Sequence, residues 1–125
     1  MCAYLINRNI NVNLGGVDRM AENNERMPLT EAVYYILLAL HTPMHGYGIM
    51  QFVKEISDGR VNLGPGTLYG AISTMVGKGW IKTLDGEENS RKKEYEITTE
   101  GRQIVLDEIL RLEELINNGK KITSK

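Results

Sequence analysis

Apolar residues first come into helical register across residues 29–40, where Val33, Ile36, Leu37 and Leu40 sit at i, i+3, i+4 and i+7. Thr30 is placed to cap that helix ahead of Glu31. Tyr34, Tyr35, Leu38 and Ala39 populate its other faces too, and a helix apolar almost all round must be covered on more than one side. A second subunit would supply that cover, with Tyr34 and Leu38 in the contact. Pro43 ends the helix, since proline cannot donate to its ladder and restrains the residue before it. A turn through Met44, His45 and Gly46 is expected next. The helical spacing returns from Tyr47 to about Ser57 in Ile49, Phe52, Val53 and Ile56, predicting a second, short helix that exits at Asp58-Gly59.

Residues 63–68 read as another helix start, with Gly64 as N-cap, Pro65 at the first helical position and Leu63 placed to pack on Leu68. This third helix carries an inward stripe of Leu68, Ile72, Met75 and Val76. Its outward face bears Thr67, Tyr69, Gly70, Ser73, Thr74 and Lys78, and Gly77 and Gly79 close it. Strand character follows at 80–84 and 93–97 on either side of the turn formers at 85–90, which predicts a hairpin. Tyr95 and Ile97 share the packed face of its second strand, and Glu94 and Glu96 share the wet one.

Thr98 can cap a last helix over residues 99–118, with Gly119 just past its end and Lys120 and Lys121 complementing its dipole. On it Val105, Ile109, Leu112 and Ile116 recur at alternating spacings of four and three, and Leu106, Leu110 and Leu115 widen the apolar surface. That surplus over one core stripe predicts packing against a second copy of the chain. The fold class is mainly α with one small β-hairpin.

A chain of 125 residues holds one compact core. Hydrophobic residues at 42% and charged residues at 25% are globular usage, and no run is long enough to span a bilayer, so a soluble, cytoplasmic protein is expected. Cys2 has no partner within the chain, which excludes an internal disulfide or a cysteine-based metal site. A net charge of −1 excludes general coating of nucleic acid, so any DNA contact must come from local clusters. Residues 1–27 read as a tail, and residues 1–19 lack the pattern of a secretory leader. Leu14-Gly15-Gly16 can be encoded by the purine-rich string of a ribosome-binding signal, with Met20 at initiation spacing, so translation starting at Met20 stands beside a disordered extension.

No catalytic inventory is present. His41 and His45 are separated by Pro43 and cannot share a helical face as metal ligands, and Gly64-Pro65-Gly66 is too short for a phosphate-cradling loop and lacks its lysine. No enzyme activity, cofactor or metal is expected.

Three blocks then form a recognisable pattern: HGYGIM at 45–50, GPGTLYGAISTMVGKGWI at 64–81 and RKKEYEITTEG at 91–101. Over residues 28–122 the chain resembles the PadR family. The resemblance implies a winged helix-turn-helix repressor, with a DNA-binding domain at 28–98 and a dimerisation helix at 99–122. It implies that the second and third helices read DNA, that the hairpin is the wing, and that small aromatic or drug-like molecules control some members. Carried onto this chain, Gly66-Thr67-Leu68-Tyr69 would open the recognition helix and Arg91-Lys92-Lys93 would form the basic root of the wing. Two features depart from the pattern. Asp85, Glu87 and Glu88 make the wing tip acidic, and the only tryptophan, Trp80, follows the recognition helix instead of lying on the last helix.

A helix entering the major groove by its N-terminus presents small polar groups and its positive dipole end to phosphates and bases. Pro65, Gly66, Thr67, Tyr69, Gly70, Ser73, Thr74 and Lys78 suit that role, with Arg91, Lys92 and Lys93 on phosphates and Lys82 extending the patch. Gly64 serves a turn, whereas Gly70 costs roughly 1 kcal/mol against alanine in a helix interior and calls for a reason such as close backbone approach. The expected partner is a pseudo-palindromic double-stranded operator bound by a homodimer. Tyr34 and Tyr35 are candidates for lining an effector site, against plain packing between subunits. The rival reading is a winged helix that binds protein.

Overall fold

The computed structural model describes residues 28–84 and 93–125. Their elements run α1 (Glu31–Ala39), β1 (Met44–His45), α2 (Gly46–Ile56), α3 (Pro65–Gly77), β2 (Ile81–Leu84), β3 (Glu94–Ile97) and α4 (Thr99–Thr123). The chain is thus mainly helical with a small antiparallel sheet, in the arrangement of a winged helix. The tail, the acidic residues Asp85, Glu87 and Glu88, and Arg91 and Lys92 lie outside the described residues.

Local chemistry sets most boundaries. The Thr30 hydroxyl accepts a hydrogen bond from the Val33 amide at 3.2 Å and so caps α1. Gly64 is the N-cap of α3 and Pro65 its first residue, where a missing N–H costs nothing. Between α2 and α3 the chain turns through Asp58 and Gly59, at φ of 58° and 81°, and the buried Ser57 hydroxyl accepts from the Val61 amide at 2.9 Å.

The expected turn at Met44, His45 and Gly46 is instead a strand followed by a helix start. Met44 pairs with Tyr95 and His45 with Glu94, making the sheet three-stranded in the order β1-β3-β2. Two residues cannot display an alternating pattern, and the open edge of β3 supplies the partner that local sequence does not reveal.

The core gathers Ile36, Leu37 and Leu40 of α1 and its cap, Ile49 and Val53 of α2, Leu68, Ile72 and Met75 of α3, Ile81, Tyr95 and Ile97 of the sheet, and Val105 of α4. Val76, expected in the buried stripe, is exposed. It sits about 100° around the helix from Met75, beyond the reach of the elements that cover the stripe.

Thr98 joins the hairpin to α4. Its hydroxyl donates to the Gly79 carbonyl at 2.6 Å and accepts from the Gly101 amide at 3.0 Å, while its own amide donates to the Trp80 carbonyl at 2.9 Å. A Cβ at Gly101 would overlap the Trp80 carbonyl, so only glycine lets α4 start this close to the hairpin.

Two expectations for α4 are corrected. The helix runs through Gly119 to Thr123, because glycine ends a helix only where the chain turns left-handed, and the exposed last turns offer nothing to pack such a turn against. Val105, assigned to the dimer face, is only 3% exposed and lies in the chain's own core. Ile109 packs partly against that core, and Leu112 and the exposed Ile116 continue the same helix face past the end of the body. Among the described residues, no helix is long and apolar enough to cross a membrane.

Candidate nucleic-acid interface

With Leu68, Ile72 and Met75 turned inward, α3 leaves Pro65, Gly66, Thr67, Tyr69, Gly70, Ser73 and Thr74 exposed on its outer side. A Cβ added at Gly66 or Gly70 would meet nothing within 4 Å, so neither glycine is required by packing inside the chain. Gly64 has an ordinary φ of −84° and open space around it, which removes the turn as the reason for glycine there. The outcome is a smooth polar helix face, free of charge at its N-terminal end, where uncapped amides and the helix dipole concentrate positive potential.

Beside it lies a cleft of about 580 Å³ lined by His45, Gly46, Tyr47, Gly48, Tyr69, Lys93 and Tyr95. Tyr69 reaches from α3 across to the first turn of α2, where its hydroxyl lies against Gly46. Burial, and secondarily the neighbouring Tyr69, push the Tyr95 phenol above its ordinary range. Lys93 brings a cation to this cleft from the root of the hairpin. On the opposite wall Tyr47, 68% exposed, is held by a hydrogen bond from the Gln51 side chain to its hydroxyl at 2.8 Å.

The structure therefore brings Tyr69 and Lys93 together and gathers the N-terminal half of α3 beside them. It does not bring Lys78 to that end. Lys78 is the C-cap of α3, about 20 Å of helix from Pro65, with its ammonium 5.0 Å from the centre of the Trp80 ring. Lys82 faces Glu96 at 3.9 Å across the β2–β3 ladder. His45 and Tyr47 were not singled out from sequence as site residues. The HGYGIM block containing both was visible, but the contact of β1 with β3 that assembles the cleft was not.

A second polar group escaped the sequence reading. Glu108 lies on the inner side of α4, its side chain 7% exposed, and takes a forked pair of hydrogen bonds from Arg111 at 2.9 and 2.6 Å. It also accepts from the Leu29 amide at 3.4 Å. The Arg111 contact holds Glu108 below the usual carboxylate range against the opposing effect of burial. Burial, and then the charge of Glu108, raise the Tyr34 phenol. The signal was a carboxylate three residues after Val105 on an apolar face. Tyr34 and Tyr35 are half-buried, with ring centroids 6.1 Å apart and tilted by 48°, and neither lines the cleft beside α2.

The sequence profile of the transcriptional regulator PadR-like family matches residues 35–106, from α1 into α4. The chain is similar to an uncharacterized 37.1 kDa protein in a transposon of Streptomyces fradiae, at 35% identity over 80 residues covering 63% of this chain. It spans only 22% of that relative's length. Among solved structures it is similar to a transcriptional regulator from Clostridium thermocellum, at 26% identity and a TM-score of 0.58 over 75% of this chain and 89% of that one. A PadR family transcription regulator from Clostridium difficile matches at 25% identity and a TM-score of 0.56, over 77% of this chain and 100% of that one. Bacillus subtilis PadR in complex with operator DNA shares the fold, at 24% identity and a TM-score of 0.56 over 65% of this chain and 46% of that one.

Proposed function

The chain belongs to the transcriptional regulator PadR-like family, and from that premise we propose that it is a sequence-specific DNA-binding repressor acting as a homodimer on a pseudo-palindromic operator. The observation that carries this reading is the outer face of α3. Gly70 interrupts the helix interior where nothing in the chain needs a missing side chain, at roughly 1 kcal/mol against alanine, and Gly66 in the first turn is equally open, so the smooth face suits an external surface that approaches closely. Exposed Thr67, Ser73 and Thr74 share that face and offer hydroxyls to base edges and phosphates. Tyr69 and Lys93 at the cleft, with Arg91 and Lys92 preceding Lys93 in sequence, are suited to phosphates. The solved complex of Bacillus subtilis PadR with operator DNA supports a DNA partner for this fold.

Dimerisation would run through the part of α4 that leaves the body, where Leu112 and Ile116 continue the apolar face and Leu115 and Ile122 are exposed beside it. Two recognition helices about one DNA turn apart, roughly 34 Å, would then enter successive major grooves and occlude a promoter. Tyr34 and Tyr35 on α1 pack only partly against the core, which suits a small aromatic effector held between subunits that alters this spacing.

Binding of the full chain to genomic fragments, including DNA upstream of its own gene, across a salt series tests the reading. One fragment should bind tightly and weaken steeply with salt, and the Tyr69→Ala/Lys92→Ala pair should bind less tightly with a salt slope lower by about 1 to 2. A folded dimer that selects no fragment at any salt would overturn DNA recognition and favour the protein-binding alternative.

A further inference from the structure

The cleft beside α2 contains a donor that the fold does not use. Tyr95 lines it from β3 with only 7% of its surface exposed, and among the described residues its hydroxyl has no hydrogen-bond partner. A buried hydroxyl in that state is a cost to the folded chain. Burial, and then the neighbouring Tyr69, push this phenol above its ordinary range, so at neutral pH it keeps its proton and can donate. The Tyr69 hydroxyl lies against Gly46 in the first turn of α2, which puts the two phenols at the same corner of the cleft.

Other donors converge there. α2 is eleven residues long, its first turn carries no acid, and the side chain of its N-cap, His45, makes no capping bond. The first-turn amides, which have no acceptor within the helix, are thus left without a side-chain cap at the positive end of the helix dipole. On the outer wall Tyr47 accepts from the Gln51 side chain at 2.8 Å, which holds its hydroxyl and leaves the hydroxyl proton free to donate. Lys93 supplies a cation, and no carboxylate lines the cleft; Glu94, 3.7 Å from His45, lies outside that lining.

Hydroxyl and amide donors beside one cation, with no acid to compete, match an oxyanion of low charge such as a phosphate group, which a volume of about 580 Å³ admits. Tyr69 joins the cleft to the exposed face of α3, so duplex lying on that face brings a backbone phosphate to its mouth. We propose that the cleft seats one phosphate of the DNA backbone, with Tyr95, Tyr47 and the first-turn amides of α2 as donors and Lys93 as counter-charge. The proposal rests on the DNA-binding reading above and adds Tyr95 and Tyr47 to it. A phosphate held here anchors α2 to the backbone and sets how deeply the N-terminal end of α3 enters the groove, without itself reading sequence.

Three measurements on the full chain test the proposal. In the first, amide signals are followed by NMR as inorganic phosphate replaces chloride at constant ionic strength and pH. The Tyr47 and Gly48 amides should shift to saturation, and the dissociation constant should rise about tenfold in Tyr95→Phe, which removes a hydrogen bond to a charged acceptor. Amides that stay in place, or that titrate alike in both proteins, overturn the seat whether or not DNA binds. In the second, urea melts compare the same two proteins without ligand. Tyr95→Phe should be at least as stable as wild type, and a loss of stability overturns the premise that the hydroxyl is idle in the fold. In the third, affinity is measured for the selected fragment and for an unrelated duplex. Tyr95→Phe should weaken both by the same factor, about tenfold, and Tyr47→Phe both by about threefold, at an unchanged salt slope, whereas Lys93→Gln should lower the slope by about 1. Phosphate binding with unchanged DNA affinity in all three variants would make the ligand a free anion and overturn the backbone role. Failure of every duplex at every salt is failure of the DNA reading and overturns that role with it, while the phosphate titration still decides whether the cleft holds an anion.

Discussion

Tyr69 lies so close over Gly46 that a single Cβ at position 46 would overlap its hydroxyl and the ring carbon that bears it. The first turn of α2 and the first turns of α3 are therefore keyed together by one absent side chain. That contact decides where the Tyr69 hydroxyl points, and so what the N-terminal end of α3 presents next to Lys93.

Gly46→Ala should accordingly push Tyr69 away from α2, lowering stability by about 0.5 kcal/mol, because what it meets is the far end of a half-exposed side chain and not packed core. Tyr69→Ala opens the space, so the double variant should recover most of the Gly46→Ala loss. A denaturant double-mutant cycle measures this, and strict additivity of the two single changes would show that the close contact is not what constrains position 46.

The keyed contact also marks where sequence reading stops. Helical spacing located α1 to α4, and Thr30, Pro65 and Thr98 set the starts of α1, α3 and α4, because these signals are local. The outward face of α3 was legible for the same reason, from Thr67 to Thr74. His45 and Tyr47 required knowing that β1 adds to the edge of β3, a pairing of residues far apart in sequence. Val105 shows the converse: periodicity places it on a stripe with Ile109, Leu112 and Ile116, but only the position of α4 against α1 and the sheet reveals where core ends and free surface begins.

Glu108 links acid sensitivity to the joint between α4 and the lead into α1. The Arg111 contact lowers its pKa in the folded chain, so its stabilising contribution is complete above the unfolded value and is lost as pH falls through the lowered one. Glu108→Gln leaves Arg111 and the Leu29 amide less well satisfied and should cost about 1–2 kcal/mol at pH 7. Wild type should forfeit that advantage as pH falls from about 5 through and below the ordinary carboxylate range. Urea melts of both proteins at stepped pH read the gap directly, and a gap that stays constant over this range would show that the carboxylate charge is not its source.

If the end of α4 joins two subunits, a charge placed on its apolar face should part them. Ile116 is 54% exposed in the single chain, so Ile116→Glu should leave the fold of one subunit intact. Sedimentation should show wild type as a dimer and the variant shifted towards monomer. Operator affinity should fall steeply, because each half-site would then bind on its own. A wild-type chain that sediments as a monomer at micromolar concentration would remove α4 from the assembly argument.

Gly70 separates the requirements of the fold from those of its partner. A methyl group there projects into open space, so Gly70→Ala should raise stability by about 1 kcal/mol through helix propensity alone. The same methyl stands on the outer face of α3 between Thr67 and Ser73, where it would hold the helix back from the floor of a major groove. Thermal melts and fragment binding on one preparation should therefore move in opposite directions, with a higher Tm and an operator Kd weakened by about tenfold, the equivalent of one well-formed contact. A variant that gained stability and bound DNA as tightly as wild type would show that this face does not approach the bases. A variant that lost stability would instead place the reason for Gly70 inside the chain.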